Sequence, residues 1–129
     1  MIKSHFLQFA LLVLLSLAFS PRLQAQALPP EEKAKIQTLL AHLEGLADAK
    51  FVRNGSDYDS KTAAKFLRGK WEANEKDIKT AADFIAMAAT ASSTTGKPYL
   101  IRLKDAPEVP CADYLNAELK KLEAAAQAK

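Results

Sequence analysis

The sequence predicts an α+β fold, with about four helices packed on a small antiparallel sheet of two or three short strands. Three observations predict it. Four segments carry apolar residues at three- and four-residue spacing, the mark of half-buried helices. Between them lie short runs that alternate instead, bounded by Asn54-Gly55 and by Asp105-Ala106-Pro107. The only cysteine is Cys111, so no disulfide within the chain can replace a packed core.

The chain opens with Lys3, an apolar stretch from Phe6 to Phe19, and Pro21. Ala25-Gln26-Ala27 follows as a small-x-small site, the order of a cleavable secretory signal peptide with cleavage after Ala27. The apolar run is shorter than the roughly 20 residues a spanning helix needs. Residues 1–27 are therefore expected to be a leader, and residues 28–129 one small globular domain. The net charge of the whole chain is +3, and removing Lys3 and Arg22 with the leader leaves +1. A near-neutral domain lacks the electrostatic footprint of a nucleic-acid binder. No polybasic cluster would hold the processed chain to anionic lipid, and no stable membrane insertion after cleavage is expected.

Pro29-Pro30-Glu31-Glu32 starts the first helix, since proline suits its first turn and acids suit the positive end of its dipole. Ile36, Leu39, Leu40, Leu43 and Leu46 form its apolar stripe, which predicts an end near Ala47 to Asp48. Phe51-Val52-Arg53 is a short extended segment, closed by the Asn54-Gly55 turn. Asp57 or Asp59 caps a second helix, with Ala63, Phe66, Leu67 and Trp71 inward and Lys61, Lys65, Arg68 and Glu72 outward. Thr80 to Asp83 resembles a capping box with Asp in place of Glu. The helix it opens buries Phe84, Ile85 and Ala88. Ser92 to Pro98 is a loop by composition. In Tyr99 to Leu103, Tyr99, Ile101 and Leu103 share one face of a strand, and Arg102 takes the other. Glu108-Val109 returns as the second strand of a hairpin. The last helix opens between Pro110 and Asp113 and buries Leu115, Leu119 and Leu122.

Several stretches resemble a known family. They are Phe51-Val52-Arg53-Asn54-Gly55-Ser56-Asp57-Tyr58, then Ala64 and Phe66-Leu67-Arg68-Gly69-Lys70-Trp71, then Ser92-Ser93, Thr95 to Arg102, and Val109-Pro110-Cys111. Together they resemble a proteobacterial family of small exported proteins, catalogued as a domain of unknown function. The resemblance spans most of the chain after the leader. It implies a Gram-negative periplasmic setting and no particular activity. One departure is Ala106-Pro107, where the family usually has glycine after the hairpin aspartate. That puts the turn type in question, because alanine disfavours positive φ.

No established catalytic motif is present. Ser92 to Lys97 only superficially resembles a phosphate loop: Ala91 stands at the position of its first glycine, Pro98 follows the lysine, and the order is helix–loop–strand. His42 is the one histidine beyond the leader, and neither a second histidine nor a cysteine pair offers zinc spacing. No cofactor or metal is assigned. Cys111, between Pro110 and Tyr114-Leu115, is expected to be a buried thiol.

The candidate binding residues are Arg53, Asn54, Tyr58, Arg68, Ser93, Thr95, Lys97, Tyr99 and Arg102. Three of the chain's four arginines are among them, and arginine is the side chain best shaped for bidentate binding of carboxylate or phosphate. If their strands pair, Arg53 and Arg102 are expected to flank one sheet edge. The competing expectation is surface ion pairs with Asp57, Asp105 or Glu108. Trp71 and Tyr99 are aromatic, and Trp71 reads as core. Two function classes follow. The favoured one is a periplasmic, non-enzymatic binding or interaction module for a protein, peptide or envelope component, acting as a monomer or weak dimer. The alternative is a hydrolase or transferase with a site in the Ser92–Tyr99 loop region, drawing on Ser92, Ser93, Asp57 and His42.

Overall fold

The computed structural model describes residues 27–128; the expected leader up to Gln26 lies outside them. The described residues form helix α1 (Pro30–Glu44), strands β1 (Lys50–Arg53) and β2 (Ser56–Tyr58), helices α2 (Ser60–Ala73) and α3 (Ala81–Ala88), strands β3 (Leu100–Arg102) and β4 (Val109–Pro110), and helix α4 (Cys111–Gln127). The α+β class holds. The sheet is antiparallel throughout, in the order β2-β1-β3-β4. It has one strand more than the upper expectation, because the residues after Asn54-Gly55 pair back onto β1.

That extra strand follows from backbone chemistry. Asn54 and Gly55 have φ of 51° and 81°. Two successive left-handed residues make the tight turn whose twist matches a β-hairpin. Arg53 then meets Ser56, Val52 meets Asp57, and Phe51 meets Tyr58. Asp57 is thereby taken up by β2, and Asp59 caps α2 by accepting from the Thr62 amide at 2.8 Å. This bond from the Thr62 amide is the main reason that the Asp59 carboxyl sits below its usual range.

Register sorts the side chains. Phe51 and Ile101 pair on one face, with Tyr58 and Val109 in the same row. This face carries the helices: Phe51, Ile101 and Tyr99 are buried in one core with Ile36, Leu39, Leu40 and Leu43 of α1, Leu67 of α2, Phe84 and Ile85 of α3, and Leu115 and Leu119 of α4. Val52, Leu100 and Pro110 form the next row, on the other face. Trp71 is half-buried, with its ring set edge-on to Phe84 at 6.1 Å between centroids. Leu122 is half-buried too, on the fringe of the core.

Two junctions hold the layers in place. Glu32 of α1 accepts from the Ala81 amide, the first of α3, at 2.9 Å and pairs with Lys35 at 2.7 Å. The bonds from Lys35 and then Ala81 hold its carboxyl below the usual range. Thr80 caps α3 through the Asp83 amide, while the Asp83 carboxylate accepts from Lys79 rather than from the cap residue itself. At the far side of the sheet the Cys111 amide donates to Tyr99 O at 2.8 Å, so the first residue of α4 continues the β3–β4 ladder.

Three boundaries differ from the sequence reading. Helix α1 ends at Glu44 and not at Ala47–Asp48: Gly45 is its C-terminal cap and Asp48 turns at φ 59°. Strand β4 is Val109–Pro110 and not Glu108-Val109. In the second turn the left-handed residue is Asp105, at φ 56°, so Ala106 carries no positive φ. An aspartate tolerates that conformation, and this resolves the question raised by the missing glycine. No helix among the described residues is long and apolar enough to cross a membrane.

Candidate functional site

The β1–β2 turn and the Ser92–Pro98 loop come together at one end of the sheet. Asn54 joins them. Its Nδ2 donates to Ser92 Oγ at 3.3 Å, and its Oδ1 accepts from Thr95 Oγ1 at 2.6 Å. Ser92 is buried, and its oxygen also bonds Thr94 Oγ1 at 3.0 Å and lies 3.4 Å from the Thr94 and Thr95 amides. Backbone bonds from Ser92 N to Lys97 O and from Gly96 N to Ser92 O, each 2.9 Å, close the loop on itself. Gly96 turns it at φ 72°. The result is a tied polar rim of Asn54, Ser93, Thr95 and Lys97, all exposed.

Beneath this rim lies an aromatic layer. Tyr99 is 1% exposed, with its ring 5.1 Å from Phe51 and edge-on to Phe66 at 5.7 Å. Lys70 of α2 reaches under the loop and donates to Ala91 O at 2.9 Å and to the Tyr99 hydroxyl at 3.0 Å. Tyr99 is therefore core with its hydroxyl satisfied, which corrects its expected place on a ligand-facing surface. A ring at alternating spacing reads the same in sequence whether a helix covers it or not.

Arg53 and Arg102 do not flank one edge. Arg53 shares the Phe51 face, and its guanidinium lies 4.3 Å over the Phe66 ring. Its Nε is buried without a hydrogen-bond partner. Beside it is a cavity of about 30 Å³ lined by Phe51, Arg53, Tyr58, Thr62, Ala63 and Phe66. Arg102 pairs with Lys50 across β1–β3, which places it on the opposite face. There it bonds Asp57 at 2.6 Å and Glu108 at 3.1 Å. The Asp57 carboxylate is the main cause that holds its guanidinium above the usual range. The expected ion pairs with Asp57 and Glu108 are present for Arg102, while Arg53 forms none with the described residues. The two arginines face apart because they sit at odd and even positions of the paired strands, which depends on register rather than on residue type.

The remaining candidates separate. Arg68 is exposed on α2, beside a groove of about 550 Å³ that also involves Leu28, Lys33, Trp71 and Glu75. Tyr58 stays near Arg53, half-buried at the small cavity. The residues of the enzymatic alternative serve separate contacts: Ser92 bonds Asn54, Asp57 bonds Arg102, and His42 Nε2 bonds the Tyr114 hydroxyl at 2.7 Å. Burial chiefly, then Glu118 and Cys111, hold the Tyr114 hydroxyl above its ordinary range. Cys111 is buried, and burial pushes its thiol up to about 12. Among the described residues no group of three His, Cys, Asp or Glu side chains is assembled to hold a metal.

Sequence reasoning did not single out Phe66 or Lys70 as partners of the candidate residues. Their spacing on α2 marks a helix face, but only the closed sheet shows which strand residue each one meets.

Residues 30–123 match a family of unknown function, DUF5329. A Salmonella typhimurium relative, "Uncharacterized protein YfeK", is 41% identical over 68 residues, covering 53% of this chain and 57% of its own. The chain thus aligns with little more than half the length of that relative. No solved structure matches.

Proposed function

We propose a role from the premise that this chain belongs to the DUF5329 family of unknown function: it is a periplasmic, non-enzymatic binding module. The contact surface is the tied rim of Asn54, Ser93, Thr95 and Lys97, with Arg53 beside it. The leader-like N-terminus supports export, with processing after Ala27. The observation that carries the binding role is the two-sided Asn54 bond to Ser92 and Thr95. Exposed loops usually lose conformational freedom when they bind, and that loss weakens affinity. Here a side-chain amide already fixes two loops against each other, so the Asn54 and Thr95 polar groups and the backbone that carries Lys97 are held in place before a partner arrives. The partner class is a protein, a peptide or an envelope component.

Affinity capture from periplasmic extract tests this reading, using protein produced from the full coding sequence. The wild-type protein is expected to retain a specific species, and Thr95→Val and Lys97→Glu to lose it, Lys97→Glu at the parent's thermal midpoint and Thr95→Val at a midpoint lowered by no more than that of Asn54→Gly, since it cuts one of the two Asn54 bonds. Retention by both variants would place the contact elsewhere. N-terminal sequencing of the exported product tests the processing site; a product that keeps Met1 would remove the export premise.

A further inference from the structure

We propose that the groove between α1 and α2 is a second binding site, one for a neutral saccharide that stacks on Trp71. The groove shares no residue with the Asn54–Lys97 rim, so the proposal goes beyond the reading above and does not depend on it.

The groove measures about 550 Å³, within the roughly 300–1,000 Å³ of small-molecule sites. Lys33 and Gln37 of α1 form one wall. Arg68, Trp71 and Glu72 of α2, with Glu75 in the turn that follows, form the other. Trp71 is half-buried: its ring packs against Phe84, and the surface it keeps open lines the groove. The five polar side chains around it are exposed, and none of them makes an ion pair or a side-chain hydrogen bond among the described residues. Arg68 and Glu72 lie one turn apart and stay unpaired, while Glu32–Lys35 and Glu118–Lys121, also one turn apart, close to 2.7 and 3.1 Å. Donors and acceptors are thus left over on both walls.

Charge decides the ligand class. Lys33 and Arg68 are balanced by Glu72 and Glu75, so these side chains favour neither sign. An anion would meet the two carboxylates, and a cation would meet the two basic groups. A wholly apolar ligand would strip water from four charges without replacing its hydrogen bonds. A sugar hydroxyl donates to a carboxylate and accepts from an ammonium, a guanidinium or an amide, so one ring engages both signs at once. The C–H groups on the flat side of a sugar ring are slightly positive and suit the negative face of the indole. A neutral saccharide therefore uses the ring and both polar walls together.

Trp71 is the only tryptophan of the chain, so its fluorescence reads the site directly. The exported protein is titrated with cellobiose, maltose and N,N′-diacetylchitobiose, and with digalacturonic acid and diglucosamine as anionic and cationic controls of the same size. Processing after Ala27 adds the Leu28 α-amino group beside this groove, which makes the anionic sugar the stricter control. At least one neutral disaccharide is expected to give a saturable change, with both charged sugars at least about tenfold weaker. Gln37→Ala and Glu75→Ala, at exposed positions, are expected to weaken binding at least about fivefold at an unchanged thermal midpoint. Trp71→Phe keeps a ring against Phe84 and is expected to weaken binding at least about threefold by calorimetry. No saturable change with any of the three disaccharides, a charged sugar bound as tightly, or both alanine variants binding like the parent would each overturn the inference. Thr95→Val and Lys97→Glu leave the groove intact, so capture at the rim and sugar binding in the groove can fail independently.

Discussion

The two faces of the sheet hold one arginine each and treat it differently. On the helix-covered face Arg53 is stacked on Phe66 with an unpaired Nε. On the open face Arg102 spans the strands from Asp57 on β2 to Glu108 beside β4, with 39% of its side chain exposed. The same residue type on paired strands thus gives an unsatisfied donor on one side and a saturated ion pair on the other. The difference is one of parity and cover. On the covered face Arg53 meets a ring, whereas on the other face, where Val52 is also buried, Arg102 meets two carboxylates.

This contrast predicts unequal sensitivity to substitution. The largest effect is expected at Phe51, which is 2% exposed and contacts both Phe66 and Tyr99. Phe51→Ala is expected to cost about 3–5 kcal/mol by denaturant midpoint. On the open face, Leu100→Ala is expected to cost about 1 kcal/mol, because the side chain is only half-buried. Equal costs would mean that the open face is covered as well.

Cys111 sharpens the covered side. Its thiol is raised from 9.0 to about 12 by burial, so its neutral form is favoured in the fold. Its stabilising contribution is full below about pH 9 and is lost as the pH rises towards 12, because the unfolded thiol ionises first. Relative to Cys111→Ala, the parent is expected to lose up to about 4 kcal/mol across that window. Thiol reagents at neutral pH should modify native protein far more slowly than denatured protein. Fast native modification would reverse the assignment of a buried, inert thiol.

A smaller effect is expected at the turn that joins β1 and β2. Asn54→Ala places a Cβ without a compensating polar group at φ 51° and removes both bonds to the loop. A cost of about 1–2 kcal/mol is expected. Asn54→Gly keeps the turn and loses only the bonds, so its midpoint should fall between parent and Asn54→Ala. The smallest effect is expected for Asp57→Asn, which cuts a solvent-exposed pair. Its change in midpoint should be a minor fraction of the Phe51→Ala change and should shrink further in high salt.

Much of the covered side was legible in the sequence. The Ile36, Leu39, Leu40 and Leu43 stripe, the Asn54-Gly55 turn, the Tyr99–Ile101 alternation and the Cys111 position each point to their observed places. These features are local: each depends on spacing or on the conformational freedom of one or two residues. Strand β2 was not legible, because Ser56-Asp57-Tyr58 is a three-residue edge strand with two exposed polar residues and a single half-buried ring, too short for an alternation to be read. The cap of α2 fell between Asp57 and Asp59 until the hairpin claimed the first. Of the candidate site, the grouping of Asn54 with Thr95 and of Arg53 with Tyr58 emerged from residues already singled out. The opposite orientation of Arg53 and Arg102, the burial of Tyr99 and the roles of Phe66 and Lys70 required the register between strands far apart in sequence.

That same register sets how the chain can reach its fold. The β1–β2 hairpin closes through a two-residue turn, an event on the order of 1–10 μs. The central pair of the sheet joins Phe51 to Ile101, about 50 positions apart, with α2 and α3 lying between them. Bringing those ends together costs loop entropy before any contact repays it, and non-local pairing of this kind slows folding. The β1–β3 closure is therefore expected to be the bottleneck. Until it happens Phe51 and Ile101, the partners of that central pair, lack each other's cover, so the apolar surface of the sheet is protected late rather than early.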